Sequence, residues 1–236
     1  GFSGVIPKTS ATMGEVLKDY GYNTAAWGKW HNTPEDQITD KGPFDYWPTG
    51  YGFEYFYGFL AGEASQYEPT LVRNTTQVTE ERPKRYHLSE DIAQDAIRWL
   101  REQKAYAPDK PFFMYWAPGA AHGPHQVWKE WADRYKGKFD DGWDAYRVRT
   151  FERAKAKGWI PQDAKLTPRA ATMASWESIP EEEKPFQRRL MEIWAGFAEH
   201  ADYNAGLVLD EIERQGRLDN TLVLYIWGDN GSSSEG

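Results

Sequence analysis

The chain has 236 residues, of which 27% are charged, and its formal net charge is −8. This length allows one large α/β domain or two small ones, and the acidic balance without a long basic run argues against a general nucleic-acid or membrane-surface binder. No stretch approaches the ~20 apolar residues of a membrane span. The chain has no cysteine, so disulfides, thiolate metal sites and a cysteine nucleophile are excluded within it.

The first predicted element is a short helix over residues 9–21. Thr12 and Glu15 have the spacing of a capping box, in which each side chain binds the backbone N–H of the other residue. Apolar residues then recur at helical spacing, which predicts one apolar face, and Gly21 stands where a helix would end.

A short buried strand is predicted over residues 22–31, and it ends in Lys29 and His31. In extended backbone these two side chains point the same way, because side chains alternate with a period of two. A cation and an imidazole aimed together suit an anionic ligand. The alternative is a surface lysine beside a core histidine, and the strand by itself leaves both interpretations open.

Residues 32–86 are rich in Gly, Pro, Tyr and Phe and show little periodicity. They predict a long irregular excursion with short edge strands at most, and such excursions often shape substrate pockets in α/β enzymes. The aromatic cluster at residues 50–59 could line a pocket, but packing under a loop is the favoured interpretation.

A helix from Ser89, as its N-cap, to about Lys104 follows, and then a buried strand over residues 111–118. The strand leads into a Gly/Pro loop that carries His122 and His125. Two histidines three residues apart in a loop could be ligands or proton donors, and each could also be structural or exposed.

Charged and Trp-rich sequence follows, with helices predicted near residues 126–136 and 143–157. Asp140 and Asp141 between them could bind a metal, but a solvated turn is favoured. A long helix is predicted over residues 181–215, where apolar residues keep a helical stripe throughout.

The last predicted strand, residues 222–227, is almost unbroken apolar and aromatic, which is typical of a strand covered on both faces. Asp229 and Asn230 follow it at once, between two glycines. Adjacent carboxylate and amide oxygens suit a hard cation such as Ca²⁺ or Mg²⁺. Asp-Asn-Gly is also good turn chemistry, so this stretch by itself leaves a metal site and a turn both open.

Three buried strands thus each end in a polar cluster: Lys29 with His31, His122 with His125, and Asp229 with Asn230. Helices intervene, so we expect parallel strands whose carboxyl ends meet at one edge of one sheet. A hard metal and a lysine there would hold an anion with several oxygens, while a histidine protonates a leaving group. The pattern predicts an α/β fold and hydrolysis of a sulfate or phosphate ester.

These motifs resemble those of the type I sulfatases, in the arylsulfatase branch of the alkaline phosphatase superfamily. The likeness runs over essentially the whole chain and is carried, in order, by GKWH at 28–31, APGAAHGPH at 117–125 and GDNG at 228–231. It implies an alkaline-phosphatase-like fold, with a mostly parallel central sheet flanked by helices on both faces.

Through the resemblance, Asp229 and Asn230 are expected to be two ligands of one calcium ion. Lys29 is expected to contact the sulfate and the nucleophile, His31 to hydrogen-bond the nucleophile and help expel sulfate, and His122 to contact the sulfate and the leaving oxygen. His125 matches no catalytic position of the family.

Sulfatases use a formylglycine nucleophile, made by a formylglycine-generating enzyme in a C/S-x-P-x-R motif. That motif, the remaining calcium ligands and a second sulfate-binding lysine do not occur in this sequence. We therefore expect residues 1–236 to be part of one sulfatase catalytic domain, truncated at both ends and inactive as it stands. We expect a periplasmic or secreted rather than a cytoplasmic protein, although no residue pattern decides the compartment.

The expected reaction is hydrolysis of a small-molecule or saccharide sulfate ester to an alcohol or phenol and sulfate. One alternative keeps the fold and changes the reaction to that of a phosphodiesterase or phosphonate monoester hydrolase. A second alternative is a non-catalytic protein that holds carbohydrate with its many tryptophans and tyrosines.

Overall fold

The computed structural model describes residues 4–228. The chain forms two compact units, residues 1–126 with 198–236 and residues 127–197. The strands are β1 (Asn23–Lys29), β2 (Tyr55–Phe59), β3 (Val72–Arg73), β4 (Thr76–Gln77) and β5 (Phe112–Ala117). The helices are α1 (Met13–Asp19), α2 (Leu88–Tyr106), α3 (Lys129–Ala132), α4 (Gly142–Ala156) and α5 (Lys184–Arg214).

The first unit contains one five-stranded mixed sheet in the order β4-β3-β2-β1-β5. β1 pairs in parallel with β2 on one side and with β5 on the other, whereas β3 and β4 continue the sheet in antiparallel fashion. The α/β class and the parallel core are confirmed. β2 was not predicted: it lies inside the expected irregular excursion, yet it is a central strand of the sheet.

Both faces of β1 are buried, as its apolar sequence predicts. Ala25 and Trp27 face a core built with α2 and with the last turns of α5. Ala26 lies in a second core on the opposite face, with the aromatic residues of the segment before β2. The aromatic cluster at residues 50–59 therefore packs in the protein interior, as the favoured interpretation expects, but residues 55–59 do so as strand β2 and not under a loop.

Two glycines let β1 approach its neighbours closely at its carboxyl end. Gly28 has a φ of +90°, and a Cβ there would collide with the carbonyl oxygen of Ala117 on β5. Gly28 is paired with Gly58 of β2, where a Cβ would collide with the Gly28 backbone. The backbones of the neighbouring strands can lie this close together only because both positions lack a side chain.

Helix α1 has the predicted capping box, but it is shorter than the predicted range of residues 9–21 and packs differently. Thr12 and Glu15 form the full capping box. The apolar face is nevertheless exposed, with Met13 at 59% and Tyr20 at 80% of full exposure. The buried residue is Gly14, where a Cβ would lie 2.8 Å from the Tyr51 carbonyl oxygen. The helix packs through Gly14 because a residue with a side chain could not lie so close to the backbone of Tyr51.

Helix α2 buries the apolar face that its sequence predicts, namely Ala93, Ala96, Ile97 and Leu100. Its N-cap is His87 and not Ser89, because the Ser89 N–H donates to His87 Nδ1 at 3.1 Å. His87 Nε2 in turn donates to the carbonyl oxygen of Gln126 at 3.0 Å. The imidazole is therefore neutral, with its proton on Nε2. Burial and the neighbouring His200 lower the pKa of His87 to about 4.

The His87 cap leads to an expected pH dependence of stability. A folded pKa of about 4, below the ordinary value of 6.5, means that the unfolded chain takes up the proton first as pH falls. The free energy of unfolding should therefore drop between about pH 6.5 and pH 4, by on the order of 3 kcal/mol from this residue.

The measurement is urea denaturation across that pH range, for the parent chain and for His87→Asn, which keeps a capping side chain without the titration. The drop in unfolding free energy should be smaller in the variant by about the same amount. Equal pH dependence of the two proteins would show that His87 does not carry the effect.

The second unit is helical. Trp143 and Trp176 meet edge to face at 4.9 Å between ring centroids, and the backbone N–H of Trp176 donates to the Asp144 carboxylate at 2.8 Å. Asp140 is largely exposed and Asp141 half-exposed, and Asp141 forms an ion pair with Arg149, in agreement with the solvated turn that the sequence favours.

The last described segment, residues 221–228, contradicts the prediction of a buried strand. It has no regular secondary structure, and its apolar side chains are exposed, with Leu222 at 84% and Ile226 at 87%. An apolar run becomes a buried strand only where a neighbouring strand and covering helices meet it, and within residues 4–228 none does so. Among these residues, no helix has both the length and the apolar character needed to cross a membrane.

Candidate active site at the carboxyl ends of the parallel strands

Lys29 is the last residue of β1, in the middle of the parallel part of the sheet. It is half-buried and lies opposite Phe59, the last residue of β2. The preceding Gly28 lies opposite Ala117, the last residue of β5. The carboxyl ends of three parallel strands therefore meet at one edge, as expected, and Lys29 stands at their centre.

His31 follows two residues later, in a backbone conformation that the sequence did not predict. The strand ends at Lys29, and His31 has a left-handed φ of 51°. The backbone is therefore not extended through both residues, and the alternation that predicts a common direction for the side chains of Lys29 and His31 ends before His31. His31 is instead held by its N–H, which donates to the Leu60 carbonyl oxygen at 3.2 Å. The residue is exposed at the carboxyl end of the sheet.

His122 lies in the loop that follows β5. Its N–H donates to the Gly119 carbonyl oxygen at 3.0 Å, which closes a turn. Its Nδ1 lies 3.0 Å from the carbonyl oxygen of Gly123. A carbonyl oxygen only accepts, so Nδ1 carries a proton there. Nε2 is then the ring nitrogen that can exchange a proton with a substrate oxygen.

His125, which the family resemblance leaves without a role, is partly buried three residues further on. Burial is the largest cause that lowers its pKa, and the charge of the neighbouring His122 lowers it as well. A histidine that favours its neutral form beside His122 adds no positive charge to the site at neutral pH.

A third loop at this edge was not recognised from the sequence. It follows β2 and carries Gly62 and Glu63. Glu63 Oε2 lies 3.8 Å from His122 Nδ1, and Gly62 lies against the ring of His31. Strand β2 runs into a polar loop here, as β1 and β5 do, but the loop can be recognised in this way only once β2 is known to be a strand.

Asp229 and Asn230, the predicted calcium ligands, lie outside the described residues. Within residues 4–228 no group of three or more His, Asp or Glu side chains is arranged to hold a metal ion. The chemistry of the pair, a carboxylate beside an amide oxygen, fits a hard cation.

A cation and two imidazoles lie at the carboxyl ends of the parallel strands, and these groups have the chemistry to bind an oxyanion and to exchange protons with ester oxygens. The chain belongs to the sulfatase family, whose model matches residues 2–236. This confirms the family that the three motifs indicate.

Two curated relatives align over nearly the whole chain. An uncharacterized sulfatase of Schizosaccharomyces pombe is 31% identical over 98% of this chain and 43% of its own length. An arylsulfatase of Klebsiella aerogenes is 29% identical over 94% of this chain and 47% of its own length. The chain thus spans about half the length of the curated relatives it matches.

Solved structures confirm the fold. The crystal structure of YidJ from Bacteroides fragilis aligns over 92% of this chain and 43% of its own, with a TM-score of 0.60 and 17% identity. That of Ps i-CgsB in complex with k-i-k-neocarrahexaose aligns over 93% and 40%, with a TM-score of 0.57 and 17% identity. The α/β, alkaline-phosphatase-like fold predicted from the sequence is therefore correct.

Proposed function

We propose that the protein to which this chain belongs is an arylsulfatase-type sulfuric ester hydrolase. The observation that carries the proposal is the placement of Lys29, His31 and His122 at one edge of the sheet, in a chain that the sulfatase family matches throughout. The substrate would be a sulfate ester of a small alcohol or phenol, or of a saccharide. The complex of the similar Ps i-CgsB with a neocarrahexaose supports the saccharide class.

In this proposal residues 1–236 form part of one sulfatase catalytic domain, and the nucleophile lies outside them. Sulfatases as a family generally use a metal ion, and we propose calcium, held in part by Asp229 and Asn230. When bound, calcium supplies positive charge that stabilises the sulfate oxygens. A formylglycine, made by its generating enzyme, supplies the attacking hydroxyl in the whole protein.

Three residues of this chain have roles in the proposed reaction. The Lys29 ammonium binds the sulfate oxygens and stabilises the charge that develops on them. His122 gives the proton on Nε2 to the leaving alcohol or phenol while Nδ1 keeps its contact with the Gly123 carbonyl oxygen. His31 removes a proton from the nucleophile's second hydroxyl when sulfate is expelled.

The direct test compares substrates in the full-length protein, produced together with a formylglycine-generating enzyme. Aryl sulfate turnover should exceed that of an aryl phosphate diester with the same leaving group. The opposite order would favour the phosphodiesterase alternative, and hydrolysis of neither would favour the carbohydrate-binding alternative.

Replacement of His122 by alanine should slow esters with poor leaving groups more than esters with good ones. A poor leaving group needs the proton that His122 gives, whereas a nitrophenolate leaves without it. We expect a loss of about 10²-fold or more in kcat/KM for the least acidic alcohol and a much smaller loss for the nitrophenol. Equal losses along a series of aryl and alkyl sulfates would argue against proton donation by this residue.

A further inference from the structure

Gly62 and Glu63, which follow β2, lie between the two proposed catalytic histidines. A Cβ at Gly62 would lie 2.8 Å from Cε1 and 2.9 Å from Nε2 of His31. Such distances are shorter than any real side chain tolerates, so the imidazole of His31 packs directly on the Gly62 backbone. The side chain of the next residue, Glu63, lies near His122.

Glu63 reaches His122 on the nitrogen that does not face substrate in the proposed reaction. Its Oε2 lies 3.8 Å from Nδ1, and the Gly123 carbonyl oxygen lies 3.0 Å from the same atom. The Gly123 carbonyl oxygen accepts a hydrogen bond from Nδ1, whereas the exposed Glu63 carboxylate is too far away for one and acts on this nitrogen through its negative charge. Both favour a proton on Nδ1, and the hydrogen bond orients the ring so that Nε2 points away from the carbonyl oxygen.

The loop that carries Glu63 is anchored just beyond it. Gln66 is buried, its backbone N–H donates to Gln126 Oε1 at 2.7 Å, and its backbone carbonyl oxygen accepts from the Leu88 N–H at 2.8 Å. Gln126 belongs to the same loop as His122, and its own carbonyl oxygen accepts from His87. The loops after β2 and β5 are thus hydrogen-bonded to each other, which fixes Glu63 relative to His122.

We propose that Glu63 is a positioning residue for His122. Its negative charge favours the proton on Nδ1 and provides a countercharge for the imidazolium, so that Nε2 delivers its proton to the leaving oxygen in the right orientation. Glu63 does not touch the reacting atoms and acts only through His122. The inference rests on the proposed sulfatase function, which assigns proton donation to His122.

The test uses Glu63→Gln in the full-length protein, with Glu68→Gln as the matched control. Glu68 is exposed in the same loop and its replacement makes the same change of charge. For sulfate esters with poor leaving groups, Glu63→Gln should lower kcat by about tenfold with little change in KM. For nitrophenyl sulfate the loss should be less than about twofold, and Glu68→Gln should behave as the parent protein.

Nitrogen NMR of the His122 ring gives a readout that does not depend on turnover. The share of the ring protonated on Nδ1 should fall in Glu63→Gln and stay at the parent level in Glu68→Gln. An unchanged ring signal would overturn the inference, as would a loss of activity that is equal for all leaving groups. A parent protein that hydrolyses no sulfate ester but shows the ring shift would instead refute the proposed function.

Discussion

Replacement of Lys29 by alanine in the full-length protein is expected to reduce kcat/KM for aryl sulfates by about 10²–10³-fold. Lys29 is half-buried at the carboxyl end of β1, between the ends of β2 and β5. An ammonium group in such a partly dry position stabilises developing negative charge far more than an exposed one does. The effect should be similar for good and poor leaving groups, because the charge on the sulfate oxygens is common to all of them.

Steady-state kinetics with one aryl sulfate series measures this loss. Lys18→Ala, on the exposed surface of α1, removes the same charge away from the sheet edge and should leave kcat/KM unchanged. Lys29→Arg should restore little activity, because a planar guanidinium cannot take the place of a compact ammonium group. A loss of less than about tenfold in Lys29→Ala would remove Lys29 from the proposed mechanism.

The second large effect concerns folding. Gly28→Ala should destabilise the first unit by more than about 4 kcal/mol, a size that is exceptional for a single substitution. The added Cβ would meet the Ala117 carbonyl oxygen, and backbone atoms cannot move aside as a side-chain tip can. The positive φ of +90° adds a further cost of about 1–2 kcal/mol.

Gly21→Ala separates these two causes. Gly21 has a nearly equal φ of +87°, but no atom lies within 4 Å of the position that its Cβ would take. Urea denaturation should therefore show a loss of only about 1–2 kcal/mol for Gly21→Ala. Similar losses for the two variants would mean that the contact between the added Cβ and the Ala117 carbonyl oxygen does not lower the stability, which would contradict the prediction for Gly28→Ala.

The elements that could be predicted are those whose signal is local. β1, β5 and α2 each carry an apolar run or stripe with clear ends, and all three occur close to the predicted bounds. β2 gave no such signal, because Gly58 interrupts its aromatic run and glycine weakens a strand on propensity alone. That glycine is required by the neighbouring strand, which the sequence of β2 does not reveal.

The candidate site also contains some features that the sequence predicts and others that it does not. The strand-end rule places Lys29 and His122 at one edge, because any parallel sheet brings these ends together. The left-handed turn at His31 and the distance from Glu63 to His122 depend on how separate loops pack, so no spacing in the sequence predicts them. The buried strand predicted at residues 222–227 was wrong for a related reason: a run of apolar residues does not show whether a partner strand is present.

That exposed run has a practical consequence for handling the chain. Among the described residues, β5 pairs only with β1, so its other side is an open strand edge that presents N–H and C=O groups. The six successive apolar residues at 222–227 are exposed to solvent. An open strand edge and a short apolar segment of high β propensity are the two ingredients of edge-to-edge aggregation. Preparations of this chain by itself call for low concentration or a solubilising fusion, and gel filtration or light scattering would report the association directly.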